Sequence, residues 1–216
     1  MTDGVFVTGT DTGIGKTMVA ACLVRRWQAD YWKPAQTGLA EEPGDTETVA
    51  YLAALPPQRR HKPAHAFQAP LSVEAAAALE GAHVSLSDFS LPPTTAPLVV
   101  EGAGGVLVPI APGVLIIDLI AQCDLPVVVV ARTVLGTINH TLLTLASLRA
   151  RNIAIAGVIL VGDPSPGNAD AIVRHGNIRI LHELRRLPAV TPETVAAASA
   201  TFPSFDQIRA FDQNQA

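Results

Sequence analysis

The sequence predicts a single α/β domain over residues 1–216, in which helices cover both faces of a mostly parallel, doubly wound sheet. Two observations carry that expectation: short β-branched runs alternate with segments of helical length, and the core material is aliphatic. Hydrophobic residues make up 49% of the chain and aromatic ones only 5%. Strands buried on both faces use that kind of material. No internal repeat interrupts the pattern.

Taken in order, the runs 5–8, 98–101, 127–131 and 157–161 are short, apolar and bounded by turn residues, so each reads as a strand. Residues 30–33 and 178–181 are weaker candidates. Helices are expected over 16–27, 46–55, 73–80, 115–122, 139–151 and 168–174. Residues 40–97, rich in Pro and Ala, carry no convincing strand and read as a long excursion with short helices. Beyond Pro188 the chain is alanine-rich and then polar, and reads as a partly loose tail. In such a fold the crossovers are right-handed and the site gathers beyond the carboxyl ends of the strands.

The formal charge of −4 counts against a general affinity for nucleic acid, which needs clustered Lys and Arg. The basic run at 59–62 follows two prolines and reads as a solvated loop. Apolar residues 98–130 are broken by Glu101, Asp118 and Asp124, so they are buried elements and no membrane span or membrane partner is expected. Cys22 and Cys123 show no metal or disulfide spacing and read as core. The start, Met1-Thr2-Asp3-Gly4, has no basic stretch and leads straight into a strand, which points to the cytoplasm.

The first strand ends in Gly9-Thr10-Asp11-Thr12-Gly13-Ile14-Gly15-Lys16-Thr17 and runs directly into a helix. Glycines let backbone N–H groups converge on phosphate, and the helix N-terminus adds its positive dipole. Gly13, Ile14, Gly15, Lys16 and Thr17 are therefore the nucleotide-binding candidates, with Lys16 at the β- and γ-phosphates and the Thr17 hydroxyl on Mg²⁺. This makes the predicted fold a P-loop NTPase type. The spacing departs from the simple pattern, with five residues between Gly9 and Gly15 and Thr10 where a glycine is usual.

Two further segments end strands with chemistry. Glu101 closes an apolar strand and precedes Gly102-Ala103-Gly104-Gly105; it reads either as a Mg²⁺ ligand or as a surface acid, with the glycines, Gly104 among them, leaving room for substrate. Lys33, before Pro34, is a second cation that could stabilise charge on a transferred phosphoryl group, or an ordinary solvated lysine. By local sequence alone Asp45 is an N-cap for the helix that follows.

Together these segments resemble the dethiobiotin synthetase family. The blocks are Gly9 to Thr17, Lys33-Pro34 through Thr37-Gly38, Val100-Glu101-Gly102-Ala103-Gly104-Gly105, and Leu135-Gly136-Thr137-Ile138-Asn139-His140 continuing to Thr144. Their order covers residues 4–162. The resemblance implies an ATP- and Mg²⁺-dependent ring closure in which diaminononanoate and CO₂ give dethiobiotin through a carbamate and a carbamic–phosphoric anhydride. It also implies roles. Lys16, Lys33 and Thr12 would be catalytic, and Thr17, Asp45 and Glu101 would hold the metal. Thr12 and Thr37 would bond the γ-phosphate or carbamate. Gly136, Thr137 and Asn139, at the N-terminus of a helix from a neighbouring subunit, would bind the substrate carboxylate and imply a homodimer.

Some positions depart from the family pattern. Gly13 stands where an acid is common, and Gly162-Asp163 where Asn-Asp is common, so an amide contact to adenine is missing. The Pro-x-Ser-Pro-His stretch of many members is only loosely present, as Pro70-Leu71-Ser72-Val73-Glu74. Pro188, after Leu187, falls near the expected base-binding loop. Rival readings are weaker. Partition and division-site ATPases carry a lysine five residues before the loop lysine, where this chain has Asp11. Cobyrinate-type amide synthases need a glutaminase domain. A non-catalytic homologue would not be expected to keep Lys16, Thr17, Lys33, Asp45 and Glu101 together.

Overall fold

A computed structural model describes residues 2–212. In chain order the elements are β1 (Gly4–Gly9), α1 (Lys16–Trp27), β2 (Asp30–Trp32), β3 (Ala35–Gln36), α2 (Asp45–Leu52), β4 (Arg60–His61), β5 (His65–Ala66) and α3 (Val73–Leu79). There follow β6 (Leu98–Gly105), β7 (Pro109–Ala111), β8 (Val114–Leu115), α4 (Ile116–Cys123), β9 (Val127–Arg132) and α5 (Thr137–Ala150). The chain closes with β10 (Ile155–Val161), α6 (Pro166–Gly176), β11 (Ile180–Leu184), α7 (Pro192–Ser199) and α8 (Phe205–Asp212).

Seven strands form the main sheet in the order β11-β10-β9-β1-β6-β2-β4, with every pairing parallel. Strand alternation divides the core in two. Val5, Val7, Val99, Val128 and Val130 pack with α1, α2, α7 and α8. Phe6, Leu98, Val100, Val127 and Val129 pack with α3, α4, α5 and α6. Helices therefore cover both faces, as expected for a doubly wound layer. Cys22 and Cys123 are buried free thiols in the two halves of this core.

Helix α1 has Gly15 as its N-cap, at φ 100°, a left-handed conformation that favours glycine, and no side chain caps it. It ends at Gln28, also left-handed, after Arg25 and Arg26 in the last turn. The helix is anchored through Arg26 Nε to Phe202 O and Trp27 Nε1 to Pro203 O.

Two expectations need correction. Residues 40–97 do contribute strands: β4 pairs with β2 at the sheet edge and β5 pairs with β3. Each is two residues long, too short to show an alternating pattern. The segment after Pro188 is not loose through residue 212: it forms α7 and α8, and Val195, Phe202 and Ile208 are buried against the α1 side of the sheet. Residues 213–216 lie outside the described part.

Candidate active site

The period of two along a strand decides which side chains meet. Val99 faces α1, so Glu101, two residues on, faces α1 as well. Tyr31 is opposite Val99 across the β2–β6 pairing, so Tyr31 and Lys33 share that face at the carboxyl end of β2. Thr17, in the first turn of α1, completes the group. The chain leaves the sheet at Pro34 because proline cannot donate to a ladder.

These residues form one hydrogen-bonded network. Lys33 Nζ lies 2.6 Å from Asp45 Oδ2 and 3.2 Å from Glu101 Oε1, and donates to Gly102 O at 2.9 Å, which accounts for all three of its N–H groups. Tyr31 donates its phenol proton to Glu101 Oε2 at 2.8 Å. The Thr17 hydroxyl stands 2.8 Å from Asp45 Oδ1 and 2.9 Å from Glu101 Oε1. It has one proton for two carboxylates. Three hard oxygens thus converge where a single proton serves only one, and such a donor set fits Mg²⁺, which keeps waters and takes phosphate oxygens for its other positions. Among the described residues no group of three His, Cys, Asp or Glu side chains could hold a metal instead.

Burial and charge act against each other here. Burial pushes the Glu101 carboxyl above its ordinary range even though Lys33 pulls it down. Burial also opposes the charges on Lys33 and Asp45, but each is outweighed by its partners, so Lys33 is raised by Glu101 and Asp45 while Asp45 is lowered by Lys33. Lys16 is pulled down to about 8, first by burial and then by the positive charge of Lys33. Its Nζ donates to Asp11 O at 2.8 Å, across the loop it belongs to.

The loop is tightly folded. Gly13 is left-handed at φ 65°, and a methyl group on Gly9 would lie 2.6 Å from Ile14 Cδ1. Arg132, at the end of β9, donates to Thr12 O at 3.0 Å. Asp45 proves not to be the N-cap of α2: Gly44 holds that place, and Gln36 Oε1 accepts from Asp45 N at 2.9 Å, leaving the Asp45 carboxylate free for Lys33 and Thr17.

A cavity of about 800 Å³ opens over this network. Of the residues singled out by sequence, Thr12, Gly13, Ile14, Gly15, Lys16, Thr17, Lys33, Thr37, Asp45, Glu101 and Gly104 line it. A methyl group on Gly104 would come 3.4 Å from Thr12 Oγ1, which brings the second glycine block against the loop. Gly136, Thr137, Asn139, Gly162 and Pro188 are not in its wall. Gly136 opens α5 at φ 94° and Asn139 is exposed, while Thr137 is buried and its hydroxyl donates to Arg132 O. Gly162 follows β10 at φ 135°, and a methyl group there would lie 2.4 Å from Thr133 Oγ1.

Sequence reading missed Tyr31, Gln36 and Arg132. Tyr31 had a usable signal, since it lies in β2 two residues before Lys33, at a spacing that puts both on one face. Gln36 acts on the backbone of Asp45 across a loop, and Arg132 reaches Thr12 from far along the chain, contacts that no local pattern announces.

The chain is similar to known proteins in both sequence and fold. A family profile described as an AAA domain matches residues 3–194. Among solved structures, a ParA family ATPase from Chlorobium tepidum TLS shares the fold, with a TM-score of 0.52 over 100% of this chain and 99% of that one at 12% identity. A biotin biosynthesis bifunctional protein of Bordetella avium is 57% identical over 95% of this chain, which spans 44% of that protein. An ATP-dependent dethiobiotin synthetase of Paramagnetospirillum magneticum is 53% identical over 89% of this chain and 93% of the relative. At that similarity and mutual coverage, the chain belongs to the ATP-dependent dethiobiotin synthetase family.

Proposed function

We propose that the chain closes a urea ring on 7,8-diaminononanoate with CO₂, using ATP and Mg²⁺ and releasing dethiobiotin, ADP and phosphate. As a member of its family it is an ATP-dependent ligase of biotin biosynthesis. The single observation that carries the detailed reading is the convergence of Lys16, Thr17, Lys33, Asp45 and Glu101 on one cavity.

In this reading one amine nitrogen attacks the carbon of CO₂ and loses a proton, giving a carbamate. A carbamate oxygen attacks the γ-phosphorus of ATP and ADP leaves. The second amine then attacks the carbonyl carbon, and phosphate departs as the ring closes. Lys16 and Lys33 stabilise the negative charge that moves from the phosphoryl group to the leaving groups. Thr12 and Thr37 hydrogen-bond the γ-phosphate or carbamate. Thr17, Asp45 and Glu101 would hold Mg²⁺, which supplies positive charge beside the phosphate oxygens. Holding both amines and the activated carbamate in one cavity makes the closure unimolecular.

The substrate carboxylate is assigned to Gly136, Thr137 and Asn139 of a second subunit, so the working unit is a homodimer in the cytoplasm. Supporting this, Asn139 is exposed and the neighbouring Val134, Leu135 and Leu143 present apolar surface. No helix among the described residues is long and apolar enough to cross a membrane. Base recognition is assigned to the region of Gly162 and Pro188, where the absence of an amide at Gly162 relaxes selectivity. Incubation with diaminononanoate, bicarbonate, Mg²⁺ and either ATP or CTP, followed by mass spectrometry, tests the reading. One phosphate released per ring is the expected result, with CTP also accepted. Nucleotide hydrolysis indifferent to the diamine would overturn it.

A further inference from the structure

We infer that Tyr31 is a positioning residue of this site: its phenol holds the Glu101 carboxylate so that one oxygen faces the sheet and the other faces Thr17 and Lys33, where Mg²⁺ would be held. The inference rests on the proposed role of Glu101 as a Mg²⁺ ligand.

The two oxygens of Glu101 have separate partners. Oε2 accepts from the Tyr31 phenol at 2.8 Å, while Oε1 faces Thr17 Oγ1 at 2.9 Å and Lys33 Nζ at 3.2 Å. The terminal torsion of a glutamate is broad and nearly two-fold, so the side chain itself does not choose how the carboxylate turns. The choice must come from its surroundings. Tyr31 and Glu101 are 0% and 1% exposed, which removes bulk water as an alternative partner for Oε2. A buried carboxylate oxygen left unpaired is costly, and the phenol is the donor that prevents it.

The ring is held as firmly as the hydroxyl. Tyr31 lies in β2 opposite Val99 and is part of the apolar cluster under α1. Its direction is therefore set by the sheet and does not depend on ligand. With Oε2 committed, Glu101 can offer a metal one oxygen, and one-oxygen ligation leaves coordination positions for water and phosphate. Partners that orient a ligand in this way commonly matter about ten- to a hundredfold in metal affinity.

Tyr31→Phe keeps the ring and removes only the hydroxyl. The test is Mn²⁺ binding to the ADP complex of the whole chain, followed by electron paramagnetic resonance, together with the Mg²⁺ dependence of turnover. The expected result is a rise of about ten- to a hundredfold in both the Mn²⁺ dissociation constant and the half-saturating Mg²⁺ concentration. ADP affinity without metal and the KM for the diamine should stay unchanged. Tyr31→Met, which keeps apolar bulk without the hydroxyl, should show the same shift and serves if the phenylalanine variant does not fold. A lowered melting temperature with unaltered metal affinity would reduce Tyr31 to a packing residue and overturn the inference. Glu101→Gln, run in parallel, separates the two claims. If it weakens Mn²⁺ binding and Tyr31→Phe does not, the positioning role alone fails; if neither does, the metal assignment fails with it.

Discussion

The two sides of β1 treat their candidate site residues differently. On the side of β6 and β2, Lys33, Glu101 and Tyr31 are buried and bonded to one another, and Thr17 and Asp45 close the network from the helices. On the side of β9 and β10, Gly136, Asn139 and Pro188 are exposed and lie outside the cavity wall. The half proposed to handle phosphate is thus assembled by the strands and helices of one chain. The other half presents surface, as the proposed contacts with a nucleotide base and a second subunit require. The first should respond to mutation through chemistry and folding together, the second through substrate affinity alone.

The largest expected effect is in the first half. Lys16→Ala should lower turnover by roughly a thousandfold, measured as phosphate release with diaminononanoate present, because a site of this kind loses about that much with a single charge-stabilising group. Substantial remaining activity would break the loop assignment. The same lysine carries a pH dependence. With its pKa near 8, charge is lost from the free enzyme above that value, so kcat/KM for ATP should fall about tenfold per pH unit there. Stability should run the other way. The unfolded chain holds the proton up to the ordinary 10.5 while the folded chain releases it near 8, so stability rises with pH across that window. Lys16→Arg should remove both trends.

Next is Lys33→Met, which leaves Asp45 and Glu101 facing each other without their buried cation. A loss of about 3–5 kcal/mol is expected in urea unfolding, as for other broken buried pairs. Added Mg²⁺ should restore part of it; no restoration would count against the metal site. In the second half, Asn139→Ala should raise the KM for the diamine by about tenfold, the scale of a hydrogen bond to a charged group. Folding stability and the KM for ATP should be unmoved. Mixing that variant with Lys16→Ala should regenerate activity if the two residues serve one site from different subunits.

The smallest effect is Gly162→Ala, expected to cost about 1 kcal/mol in thermal unfolding because of its positive φ. The Thr133 hydroxyl crowds the same place. Replacing Gly162 by asparagine alone should therefore not add adenine selectivity unless Thr133 is also reduced to alanine.

Much of this architecture can be read locally. Val5, Val7, Val99 and Val128 announce buried parallel strands, and Gly15-Lys16-Thr17 at a strand–helix junction announces the loop. Glu101 and Lys33 are legible as polar ends of apolar strands. What stays hidden depends on contacts that only the folded chain brings together. Asp45 looks like a cap until Gln36 is seen to take over the backbone contact and Lys33 to hold the carboxylate. Strand β4, Arg60–His61, has no apolar pattern and becomes a strand only because β2 offers an edge. The alanine-rich segment Pro192–Ser199 shows no anchor in the sequence until Val195 is placed against the α1 side.

The two buried cysteines have a practical consequence. Burial pushes both thiols up to about 12, so at neutral pH only roughly one in ten thousand or fewer is thiolate, the form that reacts. The native chain is therefore nearly silent to maleimides. Leu135, 99% exposed and next to Gly136, is a natural place for a single introduced thiol. A dye at Leu135→Cys would report on that face without background from the core, and its change on adding a second, unlabelled copy would read association directly.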